Sequence, residues 1–275
     1  NGPCPAINNH TMIFEFFSLT DPGLLRENNE DAVMVDPDNQ VAVLADGMGG
    51  YNAGEVASAM ATTFIKEELG RWLVDGGHEA NTRELKRAME ICIDNANRSI
   101  FNAANSNPMY AGMGTTMVMG VFMGTRTMIG HVGDSRCYRL RGNILQQITR
   151  DHSLLQEQID AGLISQEQAQ FATHKNLVTR ALGVEDTVLL EVNEYRVEDS
   201  DLYLFCSDGL SDMVSDQQLA AILMATGGLQ GKCRTLVDAA NGYGGRDNIS
   251  VILVLARSKQ VRRGLLSRML GNGSS

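Results

Sequence analysis

Carboxylates stand at the ends of several apolar runs in this sequence. Asp46 follows VAVLA, Asp134 follows IGHVG and Asp208 follows LYLFCS, and the next residue is Gly or Ser each time. Asp247 has the mirrored position, since Asn248 and the apolar run ISVILVL come after it. A single Asp-Gly pair after a strand is usually only a turn. Four such acids indicate more, because strand ends in a two-layer sheet converge on one edge, where the carboxylates would share a small volume.

Such a cluster indicates a particular chemistry. Neighbouring carboxylates repel and raise one another's pKa values unless a cation neutralises them. A hard divalent ion with oxygen ligands does this, and a set rich in acids and poor in His points to Mg²⁺ or Mn²⁺. The glycine-rich run 47–50 after Asp46 allows a backbone carbonyl to turn toward a metal and a bulky substrate to approach. Arg26, just before Glu30 and Asp31, suits bidentate binding of phosphate, although a lone Arg in a loop is more often a solvated surface residue.

The elements that must position these residues follow from hydrophobic periodicity. Short apolar or alternating runs predict strands at 12–19, 32–36, 41–45, four times between 114 and 148, and at 188–195, 201–206 and 248–256. Helical spacing predicts helices at 53–72, 82–104, 215–225 and 229–241. Thr82 is a candidate cap for the second helix. Residues 153–176 predict a polar, Gln-rich insertion of two short helices around Gly162.

The order of these elements predicts the fold class. Runs of strands alternate with pairs of helices, whereas a doubly wound parallel sheet would alternate strands with single crossover helices. The four strands between residues 114 and 148 are separated by Gly-containing turns, which is typical of an antiparallel meander. We therefore predict an α+β fold in which two antiparallel sheets have helices on their outer faces.

Composition narrows the function class. The chain has 275 residues, is 43% hydrophobic and has 33 acids against 23 bases, for a net charge of −10. This acidic balance argues against broad nucleic-acid binding. No apolar run approaches the length of a membrane span, and five scattered cysteines without a C-x-x-C pair predict neither a disulfide scaffold nor a zinc ribbon. We expect a reduced, cytoplasmic protein.

Six short motifs occur in order along the chain: Arg26-x-x-x-Glu30-Asp31, Ala45-Asp46-Gly47-Met48-Gly49-Gly50, Gly114-Thr115-Thr116, Gly133-Asp134-Ser135-Arg136, Ser207-Asp208-Gly209 and Arg246-Asp247-Asn248. Taken in this order, they resemble those of the metal-dependent protein phosphatases (PPM, type 2C serine/threonine phosphatases). Any one of them alone would be weak, but the ordered set is specific and extends from about residue 12 to 256. The bacterial type is the more similar, given Met48 and the segments DHSL at 151–154 and NLVTRALG at 176–183.

The resemblance implies an architecture and a domain division. A central β-sandwich would be flanked by helix pairs, giving α-β-β-α layers with a flap at about 153–183. Residues 1–256 would form a single catalytic domain. Residues 257–275 carry five bases and no acid, and we expect them to be a flexible tail, although they could contact a partner or an acidic surface.

The resemblance also implies a metal centre of two Mn²⁺ or Mg²⁺ ions bridged by a hydroxide that attacks the phosphate. Asp46 would bridge both ions and the Gly47 carbonyl would bind one of them. Asp208 and Asp247 would hold the other ion. Asp134, with Asp208 again, would hold a third and weaker ion.

Three further residues have implied roles around these ions. Glu30 and Asp31 would orient bound waters, and Arg26 would position the phosphate monoester for in-line attack. Some members of the family have a His at the position of Met48 that is proposed to protonate the leaving group, which Met cannot do. His174 is a candidate donor, but a surface His is the simpler interpretation, and His131 and His152 are expected to be structural.

The implied activity is hydrolysis of phosphoserine and phosphothreonine in proteins, opposing a bacterial serine/threonine kinase. The expected partners are phosphoproteins, with no nucleic acid and no membrane span, and the expected state is a monomer. Two rivals stay open. A catalytically silent relative would have lost Asp46, Asp208 or Asp247, and none is lost. A two-metal nuclease should have a basic groove, which the net charge of −15 on residues 1–256 disfavours.

Overall fold

The computed structural model describes residues 12–50, 53–169 and 177–259, and in these ranges two antiparallel sheets form the centre of the molecule. The first sheet has the order β1-β11-β10-β7-β8. Its strands are β1 (Met12–Asp21), β7 (Arg136–Arg141), β8 (Ile144–Gln147), β10 (Leu202–Cys206) and β11 (Ile249–Ser258). The second has the order β2-β3-β5-β6-β9, with β4 paired to β3. Its strands are β2 (Asp31–Asp36), β3 (Val41–Met48), β4 (Gly114–Thr115), β5 (Met117–Met123), β6 (Arg126–Val132) and β9 (Glu191–Arg196).

Helices cover the outer face of each sheet. Two long helices, α1 (Ala53–Val74) and α2 (Thr82–Ser106), pack on the second sheet. Three helices, α5 (Asp208–Ser211), α6 (Asp216–Met224) and α7 (Leu229–Gly242), pack on the first. Two short helices, α3 (Leu154–Asp160) and α4 (Gln166–Ala169), lie in the predicted flap, and single 3-10 turns occupy Gly77–Glu79 and Pro108–Tyr110.

Strand β3 shows why the layers form. Val41, Val43 and Ala45 point toward α1 and α2, whereas Ala42 and Leu44 point into the space between the sheets. The alternation follows from the two-residue period of a strand. All five are buried, and each large apolar side chain that is fully buried contributes about 1.5–3 kcal/mol. The α-β-β-α architecture is therefore confirmed.

Two details of the prediction are wrong. The strands between 114 and 148 do not form one meander, because β5 and β6 pair in one sheet and β7 and β8 in the other. The chain changes sheet at Gly133, whose φ of +103° favours glycine. Thr82 does not cap α2. Asn81 accepts the backbone N–H groups of Arg83 and Glu84, and the Glu84 carboxylate accepts the N–H of Asn81, which is a capping box.

The thiols and helices of the described ranges also bear on the sequence analysis. Cys92, Cys137, Cys206 and Cys233 are free and buried. Across the described ranges, no helix has both the length and the apolar character that crossing a bilayer requires. Residues 260–275, most of the predicted tail, lie outside the described ranges, as does His174.

Candidate active site

The acids predicted from strand ends do meet at one edge of the sandwich. Asp31 is the first residue of β2 and pairs directly with Asp46 near the end of β3. Asp208 begins α5 after β10, and Asp247 lies two residues before β11. Asp134 lies in the connection between β6 and β7. The carboxylates of the other four all act electrostatically on Asp46, so the five acids form one cluster.

The environment of this cluster opposes ionisation. Burial raises the pKa of Asp46 well above its ordinary value, and the charges of Asp31 and Asp208 raise it further. Burial likewise raises the pKa of Asp208, and the charge of Asp134 adds to the effect. The pKa values of Asp31 and Asp134 each rise to about 6, mainly through burial. Such shifts in a group of acids are typical of functional sites.

A divalent cation fits this set of donors. Asp31 Oδ2 accepts a 2.8 Å hydrogen bond from Ser207 Oγ, but its buried Oδ1 has no hydrogen-bond partner. A buried polar atom without a partner is costly, and a metal ion or its bound water would satisfy this oxygen. The charged groups that act most strongly on Asp46 are themselves acids. An oxygen-only set of this kind suits Mg²⁺ or Mn²⁺.

Close backbone packing fixes the position of Gly47. Its N–H donates to the Glu30 carbonyl at 3.1 Å, and Ser58 Oγ donates to the same carbonyl at 2.6 Å. A methyl group on Gly47 would lie 2.1 Å from the Gly54 carbonyl oxygen and 2.5 Å from the Glu30 carbonyl oxygen. Only glycine allows β3, the loop before β2 and the start of α1 to approach this closely.

Glu30 is held beside the cluster by the first turn of α1. The Gly54 N–H donates to its carboxylate, and a methyl group on Gly54 would lie 2.9 Å from the Glu30 carboxyl carbon. Burial raises the pKa of Glu30, while the positive charge of Arg26 lowers it. Glu30 therefore packs against two glycines: Gly47 lies against its backbone carbonyl and Gly54 against its carboxylate.

Arg26 lies at the mouth of the cluster. Its Nη2 donates to Asp247 Oδ2 at 2.7 Å, and its side chain is 52% exposed. The hydrogen bond to Asp247 raises the pKa of Arg26, and the charges of Glu30 and Asp208 contribute. The bond to Asp247 uses only part of the guanidinium, so its remaining N–H groups can donate to an anion that arrives from solvent.

Asn248 ties the Arg26 loop to the sandwich. Its Oδ1 accepts the Glu30 N–H at 2.8 Å, and its Nδ2 donates to the carbonyls of Pro22 and Asn28 at 3.0 and 2.8 Å. The sequence analysis quoted Asn248 only as part of a motif. The bonds show that it positions the loop between β1 and β2 against the start of β11.

Sequence reasoning missed Asp212, which raises the pKa values of Asp208 and Asp134 by its negative charge. The signal was present, because Asp208 and Asp212 are four residues apart and such residues share one helix face. Asp151 was also missed as a neighbour of Asp134. Its carboxylate accepts hydrogen bonds from Arg136 Nε and Nη2, the latter at 2.6 Å.

The cluster opens into a groove of about 740 Å³. Asp134 and Asp208 line it, together with Gln156 and Ile159 of α3. The predicted flap therefore borders the site through α3, while residues 170–176 within it lie outside the described ranges.

His131 and His152, which the sequence analysis expected to be structural, lie side by side at the start of the flap. Their rings stack with centroids 4.7 Å apart. His131 Nε2 donates to the Arg150 carbonyl at 2.7 Å, and His152 Nδ1 accepts the Gly133 N–H at 3.1 Å. His152 Nε2 faces Glu191 at 3.4 Å. These bonds hold the start of the flap against β6 and β9.

Comparison with known proteins identifies the family. A family model described as Protein phosphatase 2C matches residues 26–242. The serine/threonine phosphatase stp of Listeria monocytogenes is 39% identical over 242 residues, which cover 86% of this chain and 93% of that protein. The crystal structure of the Mycobacterium tuberculosis serine/threonine phosphatase PstP/Ppp has a TM-score of 0.77 and 34% identity, covering 88% of this chain and 98% of that one.

A further solved structure bears on the metal. It is the catalytic domain of the serine/threonine protein phosphatase PstP in complex with two manganese ions, with a TM-score of 0.79 and 32% identity, covering 90% of this chain and 100% of that one. The Listeria relative is a serine/threonine phosphatase that matches this chain over most of its length, and the family model also spans most of this chain. The resemblance seen in the sequence is confirmed: the chain belongs to the protein phosphatase 2C family.

Proposed function

We propose that this protein hydrolyses phosphoserine and phosphothreonine in proteins, using divalent metal ions. The observation that carries the proposal is the burial of Asp31, Asp46, Asp134 and Asp208 in one cluster, with raised pKa values and an unpartnered Asp31 Oδ1. A cluster of this kind is unfavourable without cations. Membership of the phosphatase family and the two manganese ions of a solved relative agree with it.

The ligand set proposed for the ions follows the cluster. Asp46 and the Gly47 carbonyl would hold one ion, and Asp46, Asp208 and Asp247 would hold the second. Asp134, with Asp208, would hold a third and weaker ion. When bound, the ions activate water and neutralise the charge of the phosphate. Mn²⁺ or Mg²⁺ would serve, since both prefer oxygen ligands.

The protein's own side chains orient the reactants. Glu30 and Asp31 border the centre and would accept hydrogen bonds from waters bound to the ions. Arg26 donates to the phosphate oxygens, and its bond to Asp247 fixes the guanidinium over the cluster. Met48 carries no proton to give, so the leaving oxygen takes its proton from water or from a carboxylic acid.

The substrate class and surroundings are further parts of the proposal. The relatives are named serine/threonine phosphatases, which supports phosphoproteins as substrates and a serine/threonine kinase as the opposing enzyme. We propose residues 1–256 as one catalytic domain that acts as a monomer in the cytoplasm.

A phosphothreonine peptide tests the function. The protein is freed of metal with EDTA and assayed for phosphate release with and without Mn²⁺, beside an intact nucleic acid as the control substrate. We expect release from the peptide only with Mn²⁺ and no cleavage of the nucleic acid. Cleavage of the nucleic acid with an unreacted peptide would replace the proposal with a two-metal nuclease.

A further inference from the structure

A second groove lies outside the acid cluster, between α1 and α2, and we call it the α1–α2 groove. It has a volume of about 690 Å³. Half-buried apolar side chains that pack on the core form its floor: Val56, Met60, Phe64 and Tyr110. Exposed residues of α1, most of them next to the floor residues in sequence, form a wall of the groove: Glu55, Ala59, Thr63 and Glu67.

We propose that this groove binds the segment of a phosphoprotein substrate about four or five residues from the phosphorylated residue. The segment would place a bulky apolar side chain on the floor and a basic side chain beside a groove glutamate. This inference rests on the proposed function, because it assumes that a phosphoprotein occupies the metal cluster.

One end of the groove adjoins the active site, because the charge of Glu55 acts on Glu30. On α1, Glu55 follows Gly54, whose N–H binds the Glu30 carboxylate. On the other side, the Tyr110 carbonyl accepts the Met113 N–H at 3.0 Å. The residue after Met113 begins β4, which pairs with Gly47 and Met48. A peptide that leaves the cluster along α1 would therefore reach the Glu55 end of the groove first.

The geometry of α1 sets the spacing. Gly54 lies at the cluster and Phe64 lies ten residues farther along the helix, which is about 15 Å at 1.5 Å per residue. An extended peptide covers this distance in about four or five residues at 3.3 Å each. The apolar anchor should therefore lie at that separation from the phosphorylated residue.

The charges of the groove favour a basic residue next to the apolar side chain of the substrate. Glu55 and Glu67 lie near its two ends, and the described residues that line it include no Lys or Arg. Both carboxylates are exposed, so an ion pair with either contributes little. We therefore expect the apolar contact to give most of the preference and the base to add to it.

Thr63→Lys tests the inference, because it places an ammonium group in the wall without touching the metal cluster. Thr235→Lys is the matched control, since Thr235 is also exposed on a helix but lies on α7 in the opposite layer. Two families of phosphothreonine peptides are compared, with Leu-Arg or Asp-Ser placed three to six residues away on either side. p-Nitrophenyl phosphate reports the metal centre alone.

The wild-type protein should prefer Leu-Arg over Asp-Ser at four or five residues by about tenfold in kcat/KM, through KM. Thr63→Lys should remove this preference, because its longer side chain covers the apolar floor and its ammonium group repels the basic residue of the peptide. Thr235→Lys should keep the preference, and all three proteins should hydrolyse p-nitrophenyl phosphate equally. Equal turnover of both peptide families by the wild type, or a preference retained in Thr63→Lys, would overturn the inference alone.

Two other results would also overturn it. If the wild type sediments as a dimer and Thr63→Lys as a monomer, the groove is an interface between copies of the chain. If no phosphopeptide is hydrolysed with Mn²⁺, the proposed function fails and this inference fails with it.

Discussion

Asp31→Asn separates the stability of the acid cluster from its function. The carboxylate of Asp31 is buried, and its pKa rises from an ordinary 3.8 to about 6. Because the folded-state pKa is the higher one, the folded protein holds the proton more tightly, and its stability falls as pH rises from about 4 to about 6. Above pH 6 the cost levels off at about 3 kcal/mol, since one pKa unit corresponds to about 1.4 kcal/mol.

Asparagine removes this cost and keeps an oxygen that can accept the Ser207 hydroxyl. In EDTA at pH 7.5, we expect Asp31→Asn to raise the free energy of unfolding by about 2–3 kcal/mol. For a protein of this size this corresponds to roughly 5–10 °C in Tm. The gain should shrink toward zero as pH falls from 6 to 4, where the wild-type carboxyl is itself protonated. Activity should fall, and more Mn²⁺ should be needed to reach it.

Calorimetry and denaturant unfolding in EDTA measure the stability, and phosphopeptide hydrolysis over a Mn²⁺ titration measures the function. Asp38→Asn is the matched control, because it makes the same change of charge in the exposed turn between β2 and β3. It should leave Tm and activity unchanged. A lower Tm for Asp31→Asn in EDTA, or a gain that does not depend on pH, would refute the reasoning.

Three further changes probe other parts of the site. Asp208→Asn should lower kcat/KM at least a hundredfold without unfolding the protein, as measured by hydrolysis and circular dichroism. The control Asp238→Asn, on α7, should leave kcat/KM unchanged. Full turnover by Asp208→Asn at saturating Mn²⁺ would contradict the assignment. Gly47→Ala should cost about 3 kcal/mol in denaturant unfolding because its methyl group would meet backbone atoms, whereas Gly50→Ala, with open space around it, should cost little; equal effects would count against the close packing. Since burial raises the pKa of Asp134 to about 6, Mn²⁺ should raise Tm more at pH 7.5 than at pH 5, and a larger gain at pH 5 would be the opposite of what proton competition requires.

Local sequence signals predicted the layers and the edge at which the acids meet. Strand and helix periods are local properties, and β3 shows this in the alternation of Val43 and Leu44 between two cores. The position of each acid at a strand end was also local, so Asp46 and Asp208 could be placed at one edge before any contact was known.

Long-range pairing was not available from those signals. Strand β7 pairs with β10, more than sixty residues away, and no local pattern distinguishes this from a continuous meander. The change of sheet at Gly133 depends on one backbone conformation. Asn248 was missed as a positioning residue because the partners of its side chain, Glu30 among them, lie more than two hundred residues away in the chain. Asp212, by contrast, could have been found from its helical spacing to Asp208.

Manganese binding to the metal-free protein tests the central claim most directly. Titration calorimetry of the EDTA-treated and dialysed wild type should show at least two Mn²⁺ ions per chain, with binding that weakens as pH falls toward 5. Asp46→Asn should lose at least one ion, and Asp38→Asn should lose none. A wild-type protein that binds no Mn²⁺, or that hydrolyses a phosphothreonine peptide fully in EDTA, would contradict the account.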